Sequence, residues 1–113
     1  TIIEGLTNAT KTNQEEIFGP VVTLIPFDNE EDAIQIANES DYGLSATIWT
    51  ENKEKATRVS NQVEAGVIWV NCWLVRDLRT PFGGMKQSGM GREGGVEALR
   101  FFTEQKNVCT STS

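Results

Sequence analysis

The sequence has no histidine, and that absence removes several chemistries at once. No Ser-His pair can activate Ser45 or Ser88 within this chain, and no zinc cluster that uses imidazole can form. Cysteine is almost as scarce. Cys72 and Cys109 are the only two, so a metal site built on thiolates alone is excluded as well. A single disulfide between them is feasible on paper, but two reduced thiols in a cytoplasmic protein is the reading favoured on compartment grounds. No apolar run approaches the ~20 residues that a membrane-spanning helix needs. Basic side chains are outnumbered, with 10 Lys and Arg against 16 Asp and Glu and a net charge of −6. Binding nucleic acid needs a surplus of cations to neutralise phosphates, so nucleic acid is not expected as a partner.

What is present is an ordinary balance of 38% hydrophobic and 23% charged residues over 113 positions, which suits one small packed domain rather than a disordered chain. The chain opens on Thr1-Ile2-Ile3 as if inside a strand, so a piece of a longer protein is expected. The run from Val21 to Phe27 is β-branched and closed by Pro26, which reads as a strand. Asp28 or Asn29 then caps a helix whose first turn is acidic, with Ala33, Ile36 and Ala37 on its apolar face. Leu44 to Trp49 reads as the next strand. Thr50 or Asn52 starts a second helix reaching about Glu64, with Gly66 expected as its left-handed stop. Val67 to Val70 is a third strand. Strand, helix, strand, helix and strand with short connections predict an α/β fold with one sheet. A long glycine-rich loop, a helix that turns Leu99 and Phe102 inward, and a terminal strand complete the expectation.

The loop from Asn71 to Glu93 organises the rest. It holds Gly83, Gly84, Gly89 and Gly91 together with Arg76, Arg79, Lys86 and Arg92. Loops of this length are either disordered or functional, and Trp73 and Phe82 argue for order. Gly89-Met90-Gly91-Arg92-Glu93-Gly94 fits the spacing of a dinucleotide fingerprint, but it does not directly follow a strand and open a βαβ unit with an acid about 20 positions later. That reading is set aside. Cys72 has a cation nearby in Arg76, which lowers a thiol pKa, but no base accompanies it; a half-buried thiol at a strand end explains it as well. Arg76 follows a buried strand and offers a rigid fork to carboxylate or phosphate; an ion pair with Asp77 is the plainer alternative. Glu15-Glu16-Ile17-Phe18-Gly19-Pro20 is an elbow, readable as a loop anchor or as a site.

Four motifs taken together carry a resemblance. Glu15 to Pro20, Tyr42-Gly43-Leu44, Gly66-Val67-Ile68-Trp69-Val70-Asn71 and the series from Pro81 to Glu93 resemble the aldehyde dehydrogenase superfamily, in its order and at its spacings. The likeness covers essentially the whole chain and corresponds to the family's C-terminal portion. It implies an NAD(P)-dependent oxidation of an aldehyde to an acid, with NAD as the expected cofactor and NADP not excluded. Residues 1–105 would be the last part of the catalytic domain, and 106–113 an oligomerisation strand of a homodimer or homotetramer. The resemblance implies that Glu16 holds the nicotinamide ribose hydroxyls and that Phe18 packs near the nicotinamide. Asn71 to Arg76, with Cys72, Trp73 and Leu74, would line the aldehyde tunnel, and Phe82 would be its aromatic wall. The segment from Gly83 to Glu93 would be a buried structural loop.

Arg76 stands where many relatives of apolar specificity carry an aromatic residue. Asn71 to Arg76 is closest in look to the 2-aminomuconic and 2-hydroxymuconic semialdehyde dehydrogenases, so the resemblance implies that Arg76 anchors a substrate carboxylate, with Arg79 in reserve. The family's nucleophilic cysteine, general-base glutamate and Rossmann domain precede these motifs, so no catalytic residue is expected in this chain, nor any metal, and alone it should be inactive. A different class of function, a non-catalytic assembly module built on the terminal strand, is the alternative.

Overall fold

The computed structural model describes residues 1–112. Two asparagines set the main helices. Asn29 accepts a hydrogen bond from Asp32 N at 2.9 Å, and Asn52 accepts one from Lys55 N at 2.9 Å, each satisfying an amide that the first helical turn leaves unpaired. They start helices at Glu30–Asn38 and Lys53–Gln62. In chain order the elements are β1 (Ile2–Glu4), α1 (Lys11–Gln14), β2 (Val22–Leu24), α2 (Glu30–Asn38), β3 (Tyr42–Gly43), β4 (Ser45–Ile48), α3 (Lys53–Gln62), β5 (Val67–Val70), β6 (Met85–Lys86) and α4 (Gly95–Phe102).

The strands form three separate pairs instead of the expected single sheet. β1 and β2 run parallel with Ile2 opposite Val22, and β4 and β5 run parallel with Ser45 opposite Val67. β3 and β6 are antiparallel. β2 and β4 do not pair. Sequence pattern marks strands by residue type, whereas long-range geometry selects the partner. The segment β4–α3–β5 is a βαβ unit, and it places the end of β5 at the head of the long loop.

Gly66 does not stop α3 by a left-handed turn. The helix ends at Val63 in extended backbone, and Gly66 is not among the residues with positive φ. Its reason is closeness: a Cβ there would lie 1.7 Å from Gly83 O. The loop at Gly83 and Gly84 therefore packs directly on the residue that precedes β5.

A core is hardly present. Ala56, Ala65 and Trp69 are the buried hydrophobic residues among those described. The radius of gyration is 18.9 Å, against about 13 Å for a compact domain of this length. The helix α4 illustrates the consequence. Leu99 and Phe102, expected to face inward, are 64% and 74% exposed, because no second layer covers that face. Phe101 is the residue that packs, its ring resting where a Cβ on Gly91 would otherwise sit. Beyond Thr103 the described residues form no ladder. Ser113, the last residue of the expected terminal strand, lies outside the described residues.

Candidate functional site

The end of β5 is fastened before the loop begins. Asn71 accepts a hydrogen bond from Thr50 N at 2.9 Å and donates one to Thr50 O at 2.8 Å, so its amide works as a surrogate peptide joining the ends of β4 and β5. With both of its polar atoms engaged, Asn71 braces the start of the stretch expected to line the tunnel. Its φ of 52° turns the chain sharply, and Leu74 turns it again at φ 56°. These are left-handed conformations that ordinary side chains adopt at a cost. The second turn is held by Trp69, whose indole N–H donates to Val75 O at 2.8 Å. Cys72 is half-buried; Trp73 and Leu74 are 69% and 60% exposed.

Arg76 comes next, and its surroundings are specific. Its guanidinium lies over the Phe82 ring, 4.3 Å from the centroid, and one Nη2–H donates to Glu93 Oε1 at 2.5 Å. Phe82 and Glu93 exchange both backbone hydrogen bonds at 2.7 Å, so ring and carboxylate are presented by one rigid bridge. A cation on an aromatic face is attracted by the ring quadrupole. The plainer alternative, an ion pair of Arg76 with Asp77, does not occur among the described residues. Asp77 is taken by Arg79, through Nε at 2.9 Å and Nη2 at 2.5 Å. The Arg79 guanidinium holds the Asp77 carboxyl below the usual range and has its own pKa raised in return. Arg79 is thus committed to a loop turn, whereas Arg76 keeps N–H groups without an acceptor among the described residues.

The elbow presents different chemistry. Glu16 lines an open cleft of about 560 Å³ with Tyr42, Leu44, Ser45, Glu64 and Ser88. Phe18 is 93% exposed on a left-handed backbone, φ 51°, so nothing among the described residues explains its ring. Among the described residues the Glu16 side chain makes no hydrogen bond. A free carboxylate can accept from two neighbouring hydroxyls, and an unsupported aromatic ring suits stacking on a planar group. The residues therefore fit a nicotinamide riboside portion of a dinucleotide. A second cleft of about 330 Å³, lined by Phe82, Glu93 and Phe101, shares Leu44 and Ser88 with the first. Neither cleft is lined by Phe18, Cys72, Trp73, Leu74 or Arg76.

The glycine-rich stretch is a packing device. A Cβ on Gly83 would lie 2.7 Å from Gly91 O, and one on Gly84 would lie 2.5 Å from Ser88 Cβ. Burial is patchier than expected: Gly84 is buried, but Met90 is 92% exposed. The fingerprint glycines precede α4, whose first amide, Gly95 N, is already bound to Leu78 O at 3.1 Å. Ser88 is structural too, its hydroxyl accepting from Gly43 N at 2.9 Å. The residue that sequence reasoning missed is Glu93. Its partner is 17 positions away across a loop, and no periodicity links the two.

Comparison with known proteins places this arrangement. Among curated proteins, the chain is 59% identical over 109 residues to a 2-hydroxymuconic semialdehyde dehydrogenase of Pseudomonas sp. (strain CF600), covering 96% of this chain and 22% of that protein. It is 55% identical to a 2-aminomuconic semialdehyde dehydrogenase of Danio rerio, again over 96% of this chain and 22% of the relative. The chain thus spans about 22% of the length of these curated relatives. Among solved structures, an indole-3-acetaldehyde dehydrogenase of P. syringae in complex with NAD+ and IAA superposes with a TM-score of 0.89 at 48% identity, over 93% of this chain and 21% of that one. HpcC of Thermus thermophilus gives 0.88 at 42% identity, over 99% of this chain and 23% of its own. The family model described as "Aldehyde dehydrogenase family" matches residues 1–108, and the chain belongs to that family.

Proposed function

We propose that this chain is the C-terminal part of an NAD-dependent dehydrogenase that oxidises a carboxylate-bearing semialdehyde to the corresponding diacid. The observation that carries the substrate class is Arg76: a cation fixed over Phe82 with unused donors. A planar guanidinium can bind a second carboxylate through two parallel hydrogen bonds. The names of the relatives at 59% and 55% identity support the same class.

In this reading Arg76 receives the distal carboxylate, and Phe82 supplies both the guanidinium's platform and an apolar wall. Trp73, Leu74 and Cys72 flank the aldehyde's carbon chain, with Asn71 bracing their entry turn. Glu16 accepts hydrogen bonds from the ribose hydroxyls, and Phe18 stacks beside the nicotinamide. When bound, NAD supplies the hydride acceptor. The chain's own contribution is orientation, which is worth much in catalysis because reacting groups must be held within tight limits. It contributes no nucleophile and no general base, and we expect no turnover from it alone. Residues 103–112 pair with no strand among the described residues, which supports a role for 106–113 in joining subunits of a homodimer or homotetramer. Reduced thiols at Cys72 and Cys109 suit the cytoplasm.

The test is NADH formation by the complete dehydrogenase that carries this segment, with 2-hydroxymuconic semialdehyde and hexanal compared at equal concentration. A strong preference for the charged aldehyde is expected. Equal kcat/KM on the two would overturn the substrate class.

A further inference from the structure

The backbone that carries Arg76 has little to rest on. Trp73, Leu74 and Val75 are 69%, 60% and 67% exposed, so packing among the described residues does not fix them. Leu74 also holds a left-handed conformation at φ 56°, which a residue other than glycine keeps only under constraint. One hydrogen bond supplies that constraint. The Trp69 indole N–H donates to Val75 O at 2.8 Å. Among the described residues no other hydrogen bond engages the backbone from Cys72 to Arg76. Trp69 itself is well anchored: it is 8% exposed and sits in β5, paired with Thr47 of β4. A buried strand residue thus reaches across the turn and takes hold of the position just before Arg76.

We propose that Trp69 is a positioning residue for substrate specificity: its indole N–H fixes where Arg76 leaves the chain, and so where the substrate carboxylate is received. The inference rests on the anchoring role given to Arg76 above. The guanidinium reaches the Phe82 face, 4.3 Å from the centroid, from a backbone that Trp69 sets. Recognition of a carboxylate by a guanidinium is directional, through parallel N–H···O bonds. An apolar carbon chain against an apolar wall is held without direction. Loosening residues 72–76 therefore penalises a charged aldehyde more than a neutral one. A tryptophan that merely filled space in the fold would affect both alike.

The experiment measures KM and kcat of the complete dehydrogenase with 2-hydroxymuconic semialdehyde and with hexanal. Two variants are compared with the parent. Trp69→Phe removes the donor and shrinks the ring, whereas Trp69→benzothienylalanine keeps the bicyclic shape and replaces the N–H by sulfur. Both should raise KM for the charged aldehyde about two- to tenfold, the worth of one hydrogen bond. KM for hexanal and both kcat values should stay near the parent values. In an Arg76→Ala background neither variant should change the preference further. A parental preference with benzothienylalanine, a rise of KM for both aldehydes alike, or an effect that persists without Arg76 would overturn the proposal. Should Trp69→Phe not fold, the benzothienylalanine arm decides by the same criteria. Failure of the underlying reading looks different: Arg76→Ala alone would leave the preference for the charged aldehyde intact.

Discussion

Replacing Gly66 by alanine adds one methyl group, and the structure says where it must go. The new Cβ would lie 1.7 Å from Gly83 O, 2.8 Å from Gly83 C and 3.3 Å from Gly84 Cα. All three are backbone atoms, so no side chain can swing aside. Restoring ordinary contact at about 3.4 Å requires the Gly83–Gly84 segment and the start of β5 to part by roughly 1.7 Å, and overpacking of this kind costs about 1–3 kcal/mol. The displaced segment carries Phe82, on which Arg76 rests. A shift of about 1 Å in a positioned group can cost on the order of 10²-fold in rate. Gly66→Ala should therefore lower the urea midpoint of the complete dehydrogenase and lower kcat/KM for a carboxylate-bearing aldehyde more than for hexanal. Gly5→Ala is the control. That position has φ 76° and nothing within 4 Å of a Cβ, so it should show only backbone strain of about 1–2 kcal/mol, with no change in substrate preference. A Gly66→Ala protein with parental midpoint and parental preference would refute the argument that Gly66 exists to let the loop approach.

Two other outcomes follow from the same geometry. Glu16→Ala should raise KM for NAD+ about tenfold or more, the loss expected for charge-assisted hydrogen bonds of roughly 1.5–3 kcal/mol; steady-state kinetics at saturating aldehyde would check it, and an unchanged KM would remove Glu16 from the ribose site. Arg58 grips Glu30 with two bonds of 3.0 Å between α3 and α2, and the hydrogen bond from Arg58 lowers the Glu30 pKa. A depressed folded-state pKa means the contribution is present above the ordinary carboxylate range and is lost as pH falls through the lower, folded value. Denaturation measured across mildly to strongly acidic pH should show that loss, and Glu30→Gln should abolish its share of the slope.

Local features were the legible ones. A cap at Asp28 or Asn29, another at Thr50 or Asn52, and Val67–Val70 as a strand follow from residue type and short-range spacing; the structure selects Asn29 and Asn52. Partner choice was not legible: neither the separation of β1–β2 from β4–β5 nor the pairing of Arg76 with Glu93 leaves a mark in periodicity. Gly66 shows how a correct position can carry the wrong reason, since a glycine needed for proximity and one needed for a left-handed turn look identical in sequence. Leu99 and Phe102 show where amphipathic pattern stops being informative. A helix pattern identifies an apolar face but not what covers it, and here nothing among the described residues does. At the site, the chemistry of Arg76 was readable from its type and its place after β5, whereas its orientation needed Phe82 and Glu93 in space.

The central claim is that Arg76 recognises a carboxylate, and the most direct measurement is the ratio of kcat/KM for 2-hydroxymuconic semialdehyde to that for hexanal, before and after Arg76→Ala in the complete dehydrogenase. Loss of a charge-assisted hydrogen bond worth roughly 1.5–3 kcal/mol predicts a fall in that ratio of about 10- to 150-fold, with hexanal turnover little changed. A variant that retains the parental ratio would contradict the account.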